Sequence, residues 1–523
     1  MANEGNPWRA VSAVGLAAAI LASVGCSSGS KPGSTPGSSD RAGSSASEAV
    51  AEDDGPKPDV ILLVSGQQLG YLEPCGCTEG QSGGLGRRAD LMSRLRADGT
   101  PLVPLDLGSL ISDPAASRGG PEQERIKLGI GLEALARLGY QAMALGAEDL
   151  EVGISEYVGQ HFNVPDAPPV VVTNATPVEG FEELFRPRVT VEAGPLTVGV
   201  LAVVDPEAIA SLGDPEFELF LSELRDPIEA ARDALPELEA ESDVQVVLVQ
   251  GPSDLARSVA EAMPEVEVVV GRSEFDSFPM KPELFHDGGT TLVLVGKKGQ
   301  QVGLVDLFEG DGARPRYRRV PLDLRYEDAE PIRSLLAEEY LVRLDQNDVL
   351  ENFPRRPHPS GATFVGAETC KACHPNTFEK WSGTRHAFAW PAIETGRRGN
   401  RTMDAECVSC HSTGFGFETG FVNAAQTPHL KGQQCENCHG PGSRHVSDPM
   451  NPEYREHVRV TLEQAERSLC IRCHDSDNDP HWDFAKRWPD VVHSGLDRYD
   501  DPATRTGLDP ALIPGPEADG EAD

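Results

Sequence analysis

Cys370-Lys371-Ala372-Cys373-His374, Cys407-Val408-Ser409-Cys410-His411, Cys435-Glu436-Asn437-Cys438-His439 and Cys470-Ile471-Arg472-Cys473-His474 repeat one pattern four times in the last third of a 523-residue chain. Two thiols three residues apart lie on one helical turn and can both reach one edge of a flat ring. The residue after the second then aims its imidazole at the ring centre from the same side. That arrangement serves covalent c-type haem attachment, with two thioethers and a proximal iron ligand. Two Cys-x-x-Cys pairs can also close a tetrahedral thiolate cage around zinc, but such a cage has no use for a following histidine, and here every pair has one. A disulfide framework fits less well still, because close pairs followed each time by His are a poor cross-linking pattern. The expectation is four haem c groups held on Cys370, Cys373, Cys407, Cys410, Cys435, Cys438, Cys470 and Cys473, with His374, His411, His439 and His474 as proximal ligands.

Composition bounds the rest. The length exceeds what a single hydrophobic core normally serves, so at least two folded domains are expected. A formal charge of −37, from 83 acidic against 46 basic residues, repels phosphate backbones and excludes nucleic acid as a partner. Eight of the eleven cysteines belong to the four motifs, leaving Cys26, Cys75 and Cys77. Arg9 followed by the apolar run Val11 to Val24 is too short to span a bilayer comfortably and has the form of a secretory signal. It resembles a bacterial lipoprotein signal, residues 1–26, which implies lipidation of Cys26 and a membrane anchor. Export agrees with the haem motifs, because covalent haem attachment in comparable bacterial proteins takes place outside the cytoplasm. The expected location is the periplasmic side of a bacterial membrane.

Residues 27–58 are a Ser/Gly/Pro tether that cannot bury enough apolar surface to fold. From Asp59, β-branched runs (Asp59 to Val64, Leu102 to Leu107, Val170 to Thr173, Leu196 to Val204, Val244 to Val249, Val266 to Val270, Thr291 to Val295) alternate with helical stretches (Glu122 to Leu138, Asp226 to Leu238, Ser253 to Met263). This predicts an α/β layered domain over residues 59–325. Gly296 to Gly303 reads as a hairpin turn rather than a phosphate cradle. Residues 326–360 hold a charged helix with Ile332, Leu335, Leu336, Tyr340, Leu341 and Leu344 at helical spacing, then a proline-bearing joint. It either packs on the α/β body or is a solvated spacer. Over residues 361–499 the aliphatic content falls while Gly, His and Cys rise, predicting a mainly α, loop-rich domain whose apolar mass comes from porphyrin. Residues 500–523 form an acidic tail expected to be disordered.

The stretches Phe364-Val365-Gly366-Ala367-Glu368-Thr369-Cys370, Trp381-Ser382-Gly383-Thr384-Arg385-His386 and Cys435 to His439 followed by Gly440-Pro441-Gly442-Ser443-Arg444-His445 resemble the cytochrome c-554 family of tetrahaem proteins. The resemblance implies haems in close pairs, mostly with histidine on both iron faces, and electron transfer as the activity. It implies His386, His445 and His493 as distal ligands, without saying which serves which iron. His429, His457 and His481 do not match ligand positions and read as surface residues. Three distal ligands for four haems leave one iron open to a small molecule.

Residues 59 to 310 resemble the 5′-nucleotidase type of metallophosphoesterase through Ile61-Leu62-Leu63, Gly70 to Pro74, Gly83 to Arg88, Leu105-Asp106-Leu107-Gly108, Ala144-Leu145-Gly146 and Val268 to Gly271. Such enzymes hold two metals on Asp, His and Asn at strand ends. On the family pattern those positions fall on Gln67, Leu69, Ser109, Ala147, Glu148, Gln250 and Gly271-Arg272-Ser273-Glu274, so no expected ligand survives. Arg272 puts a fixed cation where a divalent metal belongs. The domain reads as a pseudoenzyme used for binding or docking. Cys75-Gly76-Cys77 follows the first lost motif and is a redox-active pair, a soft-metal site or a small structural pair.

The whole chain reads as an exported tetrahaem cytochrome, more an electron carrier than an enzyme, with periplasmic or membrane-bound redox proteins as donor and acceptor. A multihaem reductase acting on a small nitrogen oxide, and a metal-dependent phosphoesterase or 5′-nucleotidase, are the alternatives.

Overall fold

Residues whose side chains are apolar on both sides of a strand need cover on both faces, and the chain supplies it by stacking two sheets between helices. In a computed structural model, seven strands pair in the order Arg316–Pro321, Gln301–Leu307, Val60–Ser65, Leu102–Asp106, Ala142–Ala144, Val170–Val171 and Phe185–Arg186. Six more pair in the order Glu283–Phe285, Thr290–Val295, Val268–Arg272, Val244–Gln250, Leu196–Val204 and Val189–Ala193. The central strands run parallel, and the flanking ones antiparallel except Phe185–Arg186, which pairs parallel with Val170–Val171. The structure describes residues 55–74, 81–310, 312–396 and 399–497. The signal 1–26 with Cys26, nearly all of the 27–58 tether, Cys75 and Cys77, and the 500–523 tail lie outside the described residues.

The strand period of two divides the core. Val60, Leu62 and Val64 face Val246, Leu248, Val268 and Val270 between the sheets. Ile61 and Leu63 point the other way, under the Leu85–Ala97 and Gly120–Leu138 helices. Val247, Val249 and Val269 point outward beneath the Pro227–Glu241 and Ser253–Ala262 helices. Burying each Val or Leu fully contributes about 1.5–3 kcal/mol, so this layering is the main stabilising feature.

Gly296 to Gly303 is not a hairpin turn. Thr290–Val295 lies in one sheet and Gln301–Leu307 in the other, so the connection carries the chain across the sandwich. Lys298 adopts a left-handed φ of 64° and Gly299 one of 57° within it. The 326–360 segment packs on the α/β body. Ile332, Leu335, Leu336, Tyr340, Leu341 and Leu344 are all buried, along three consecutive helical pieces spanning Ile332 to Gln346.

The apolar cluster under the Gly120–Leu138 helix does not stop at the joint. Phe364, Trp390, Ile393, Ala405, Val408, Phe421 and Leu430 belong to it, so the first part of the cysteine-rich segment shares a core with the α/β layers. Beyond Leu430, Pro441 and Ala465 are the only buried apolar side chains among the described residues. Short helices such as Cys435–His439, Ser443–Ser447, Pro452–His457 and Phe484–Val491 therefore enclose almost no protein core of their own. None of the helices among the described residues is long and apolar enough to cross a membrane.

Candidate functional site

Each Cys-x-x-Cys-His run folds as a turn of helix. In the first and fourth, the main-chain NH of the histidine donates to the carbonyl of the first cysteine at 2.9 Å, for His374 to Cys370 and His474 to Cys470. The second run ends the Ala405–His411 helix, which Asp404 caps by accepting the Glu406 NH at 3.0 Å. The third run is the Cys435–His439 helix, at whose start the Gln434 NH donates to Asn437 Oδ1 at 3.1 Å.

Three of the four motif histidines face a second imidazole. His374 stands opposite His445 with ring centroids 6.4 Å apart, His474 opposite His386 at 6.2 Å, and His439 opposite His493 at 5.7 Å. A ligating imidazole nitrogen lies about 2 Å from its metal, so two imidazoles on opposite sides of one metal stand with centroids roughly 6 Å apart. The spacing therefore fits one iron between each pair. His386 follows the first motif in sequence yet faces the histidine of the fourth, and His493 follows the fourth yet faces that of the third. For His411 the structure records no facing imidazole among the described residues. His429, His457 and His481 are exposed.

Nitrogen chemistry fits the same group. His411 Nδ1 lies 2.5 Å from the Ala389 carbonyl, His439 Nδ1 2.6 Å from that of Val458, and His493 Nδ1 2.8 Å from that of Val491. His474 Nδ1 is 2.9 Å from Asp479 Oδ2, and Trp482 stacks on the same ring at 4.0 Å. A proton held on Nδ1 leaves Nε2 free to bind a metal. His445 is different, since its Nδ1 is buried without a hydrogen-bond partner, as expected of a nitrogen whose partner is a bound metal. Burial pushes His374, His386, His411, His439 and His445 below the ordinary imidazole value, so each is uncharged at neutral pH, the form that ligates. Among the described residues, no three His, Cys, Asp or Glu side chains converge on one metal-sized point.

The motifs are joined in two pairs. The thiol of Cys370 adjoins that of Cys435, and the thiol of Cys410 adjoins that of Cys473. Glu436, inside the third motif, accepts the NH groups of Val365, Gly366 and Gly442 at 3.0, 2.8 and 2.7 Å, while Gln434 Oε1 accepts that of Ala367 at 2.6 Å. These bonds fix the start of the first motif's helix against the third motif. Glu436 and Gln434 were not singled out in the sequence, where they look like ordinary polar residues beside a cysteine.

The second motif is fixed by the α/β layers instead. Gln123 Oε1 accepts the Ala405 NH at 3.0 Å, and Gln123 Nε2 donates to Asp404 at 2.8 Å. Lys127 pairs with Glu406 and with Glu124, the latter at 3.2 Å. Arg118 reaches Cys410 Sγ at 3.5 Å and pairs with Asp475 beside the fourth motif. Gln123, Glu124 and Lys127 are all buried on one helix face, which the sequence does not show because their partners lie on a distant segment. The fourth motif's loop also docks here, with Asp477 accepting from Tyr71 and Lys298, each at 2.7 Å.

At the strand ends where a phosphoesterase would hold metals, the side chains satisfy one another. Arg272 donates to Gln67 Oε1 at 3.2 Å, to Gln250 Oε1 at 3.0 Å and to Glu148 Oε1. Ser109 donates to Glu148 Oε2 at 2.6 Å and accepts from Gln250 at 2.8 Å. Leu69 contributes only its main chain, donating to the Ser109 carbonyl at 3.0 Å. Glu274 is exposed. Gln67, Leu69 and Ser109 have left-handed φ values of 49°, 51° and 60°, a conformation unfavourable for a branched residue such as Leu69. Gly146 permits the closure, because a Cβ there would lie 2.3 Å from the Ser109 nitrogen. Beneath it, burial pushes the Asp149 carboxyl up to about 8, although it accepts the NH groups of Ser109 and Ile111.

Residues 369–440 match the family described as cytochrome c554 and c-prime. Cytochrome c-554 of Nitrosomonas europaea is 32% identical over 99 residues, a match covering 17% of this chain and 42% of that protein. The chain thus spans less than half the length of that relative. The α/β layers are similar to a 5′-nucleotidase precursor from Thermus thermophilus, at 22% identity and a TM-score of 0.45, covering 59% of this chain and 62% of that one. They are similar also to the calcineurin-like phosphoesterase YfkN from Bacillus subtilis, at 17% identity and a TM-score of 0.45, covering 56% of this chain and 99% of that one. The cysteine-rich segment is accordingly similar in sequence to cytochrome c-554.

Proposed function

We propose that this chain is an exported tetrahaem c-type cytochrome that carries electrons between periplasmic or membrane-bound redox proteins. The three facing imidazole pairs, His374 with His445, His474 with His386 and His439 with His493, carry the reading. When bound, haem c supplies a one-electron centre tuned by its axial ligands and surroundings. In this reading Cys370 and Cys373, Cys407 and Cys410, Cys435 and Cys438, and Cys470 and Cys473 hold the four groups. Their histidines bind from the proximal side, and His445, His386 and His493 close the other face of the first, fourth and third. Residues 361–499 are the cytochrome region, and residues 59–325 a metal-free body used for docking. Residues 1–26 are a lipoprotein-type signal, with Cys26 as the lipid anchor and 27–58 as the tether. The apolar run before Cys26 and the Ser/Gly/Pro composition after it support these assignments.

Electron paramagnetic resonance of the oxidised, haem-loaded protein tests this. Three low-spin centres to one high-spin centre are expected. A spectrum dominated by high-spin iron would contradict the pairing.

One observation favours a second activity. His411 has no facing imidazole among the described residues, which leaves room at its iron for a small nitrogen oxide. Addition of nitric oxide or hydroxylamine should then perturb the spectrum of that centre alone, and turnover with a reductant would make the protein a reductase.

A further inference from the structure

We propose that Arg118, which lies in the α/β layers outside every cysteine motif, sets the reduction potential of the haem held on Cys407 and Cys410 and, less strongly, that of the haem held on Cys470 and Cys473. The inference rests on the tetrahaem reading and adds a role for the phosphoesterase-like body. That body becomes an electrostatic control on one haem pair rather than a passive support.

The placement is built. Arg118 sits on the loop that enters the Gly120–Leu138 helix, where the main-chain NH groups of Ala116 and Ser117 donate to the Asp113 carbonyl at 3.1 and 3.0 Å. Ser117 Oγ donates to the buried Glu124 at 2.6 Å, fixing the loop to the helix. Gln123 and Lys127 of that helix grip Asp404, Ala405 and Glu406, at the very start of the helix that carries Cys407 and Cys410. These bonds hold the loop that carries Arg118 beside the second motif. Its Nη1 lies 3.5 Å from Cys410 Sγ, and its Nη2 binds Asp475, the residue after His474. The thiols of Cys410 and Cys473 adjoin each other, so one cation sits at the meeting edge of two attachment sites.

A fixed positive charge at a haem edge favours the reduced over the oxidised iron, since reduction adds one negative charge there. Asp475, which Arg118 binds, and Asp477 are the carboxylates near the same guanidinium, in a chain of formal charge −37. Lys127, Lys298 and Arg118 are each paired with a carboxylate, Arg118 with Asp475, so removing either member of that last pair changes the charge at the edge. The Arg118 side chain is 38% exposed, so solvent screens part of its field, and the effect falls off toward the first and third haems.

The test uses the full haem-loaded chain in a spectroelectrochemical titration. One electron per haem passes from dithionite on reduction and returns to ferricyanide on oxidation. Haem content is measured first, so that loss of haem, which would defeat the proposed function, is not confused with failure of this inference. Arg118→Gln is expected to lower the potential of the haem on the His411 side most, that of the His474 haem less, and to leave the other two in place. Arg118→Lys should keep the wild-type values. Asp475→Asn, which removes a negative charge and spares the cation, should shift the same two potentials upward. Wild-type potentials in both Arg118→Gln and Asp475→Asn, or an equal shift of all four haems, would overturn the inference.

Discussion

Gln123 Oε1 accepts the main-chain NH of Ala405 at 3.0 Å, joining a fully buried residue of the α/β layers to the first turn of the helix that carries the second cysteine motif. The contact explains why the two parts of the chain behave as one body. An apolar cluster runs from Leu128 and Ile130 to Val408 and Phe421 on one side of it, and Lys127 and Glu406 pair on the other. The motif whose histidine faces no second imidazole among the described residues is thus the one whose helix the α/β layers hold.

Lys127 is 3% exposed and Glu124 1% exposed, whereas Glu406 keeps partial contact with solvent. Lys127→Met leaves the Glu124 carboxylate buried without its cation, and the stability loss should be about 3 kcal/mol, at the lower end of the range for breaking a buried pair. Thermal unfolding followed by tryptophan fluorescence measures it. Lys127→Met combined with Glu124→Gln should recover part of the loss.

Burial pushes the Asp477 carboxyl up, but hydrogen bonds from Lys298 and Tyr71 outweigh that effect and leave it below the ordinary carboxylate value. A carboxyl whose folded value is depressed contributes stability that is present above its unfolded value, about 3.9, and lost as the pH falls through the folded value. The chain should therefore lose up to about 1 kcal/mol below roughly pH 4 through this contact. Asp477→Asn should be less stable at pH 7 and show a correspondingly smaller further loss on acidification, as read from unfolding midpoints at the two pH values.

Removing one distal imidazole should convert one low-spin centre to high spin and leave the rest. His386→Ala, His445→Ala and His493→Ala should each do so, while His429→Ala, at an exposed position, should not. Electron paramagnetic resonance with an unchanged haem count distinguishes ligand loss from misfolding.

Much of this was legible in the sequence, and the part that was not has physical causes. The cysteine motifs are local chemistry, readable wherever they fall. The strands Leu196–Val204 and Val244–Gln250 declared themselves as unbroken β-branched runs, because both their faces are covered. The Leu85–Ala97 helix did not, since its inward face includes the buried Arg87 and Arg88 and so lacks an apolar stripe. Turn residues at 296 to 300 mark a change of direction but not a change of sheet. The partnering of His386 with His474 is set by tertiary packing, which sequence proximity to His374 conceals. Gln123, Lys127 and Arg118 were invisible for the same reason, as their partners lie on a segment that the sequence presents as a separate domain.

Arg272, Gln67, Gln250, Ser109 and Glu148 satisfy one another at the strand ends. Manganese should find no site there, and isothermal titration is expected to give no stoichiometric binding and no phosphatase activity above background. Arg272→Ala leaves Glu148, Gln67 and Gln250 short of a donor and should cost about 1–3 kcal/mol of stability without creating activity. Stoichiometric manganese uptake with phosphate-ester turnover in the parent chain would restore the hydrolase reading.

The central claim is that the cysteine-rich segment folds around thioether-linked porphyrin. Pyridine haemochrome absorbance per mole of chain, measured on protein from a host that matures c-type cytochromes, tests it most directly. Four haems per chain, resistant to acid–acetone extraction, are predicted from the four motifs. A folded chain without haem, or one carrying zinc in its place, would contradict the account.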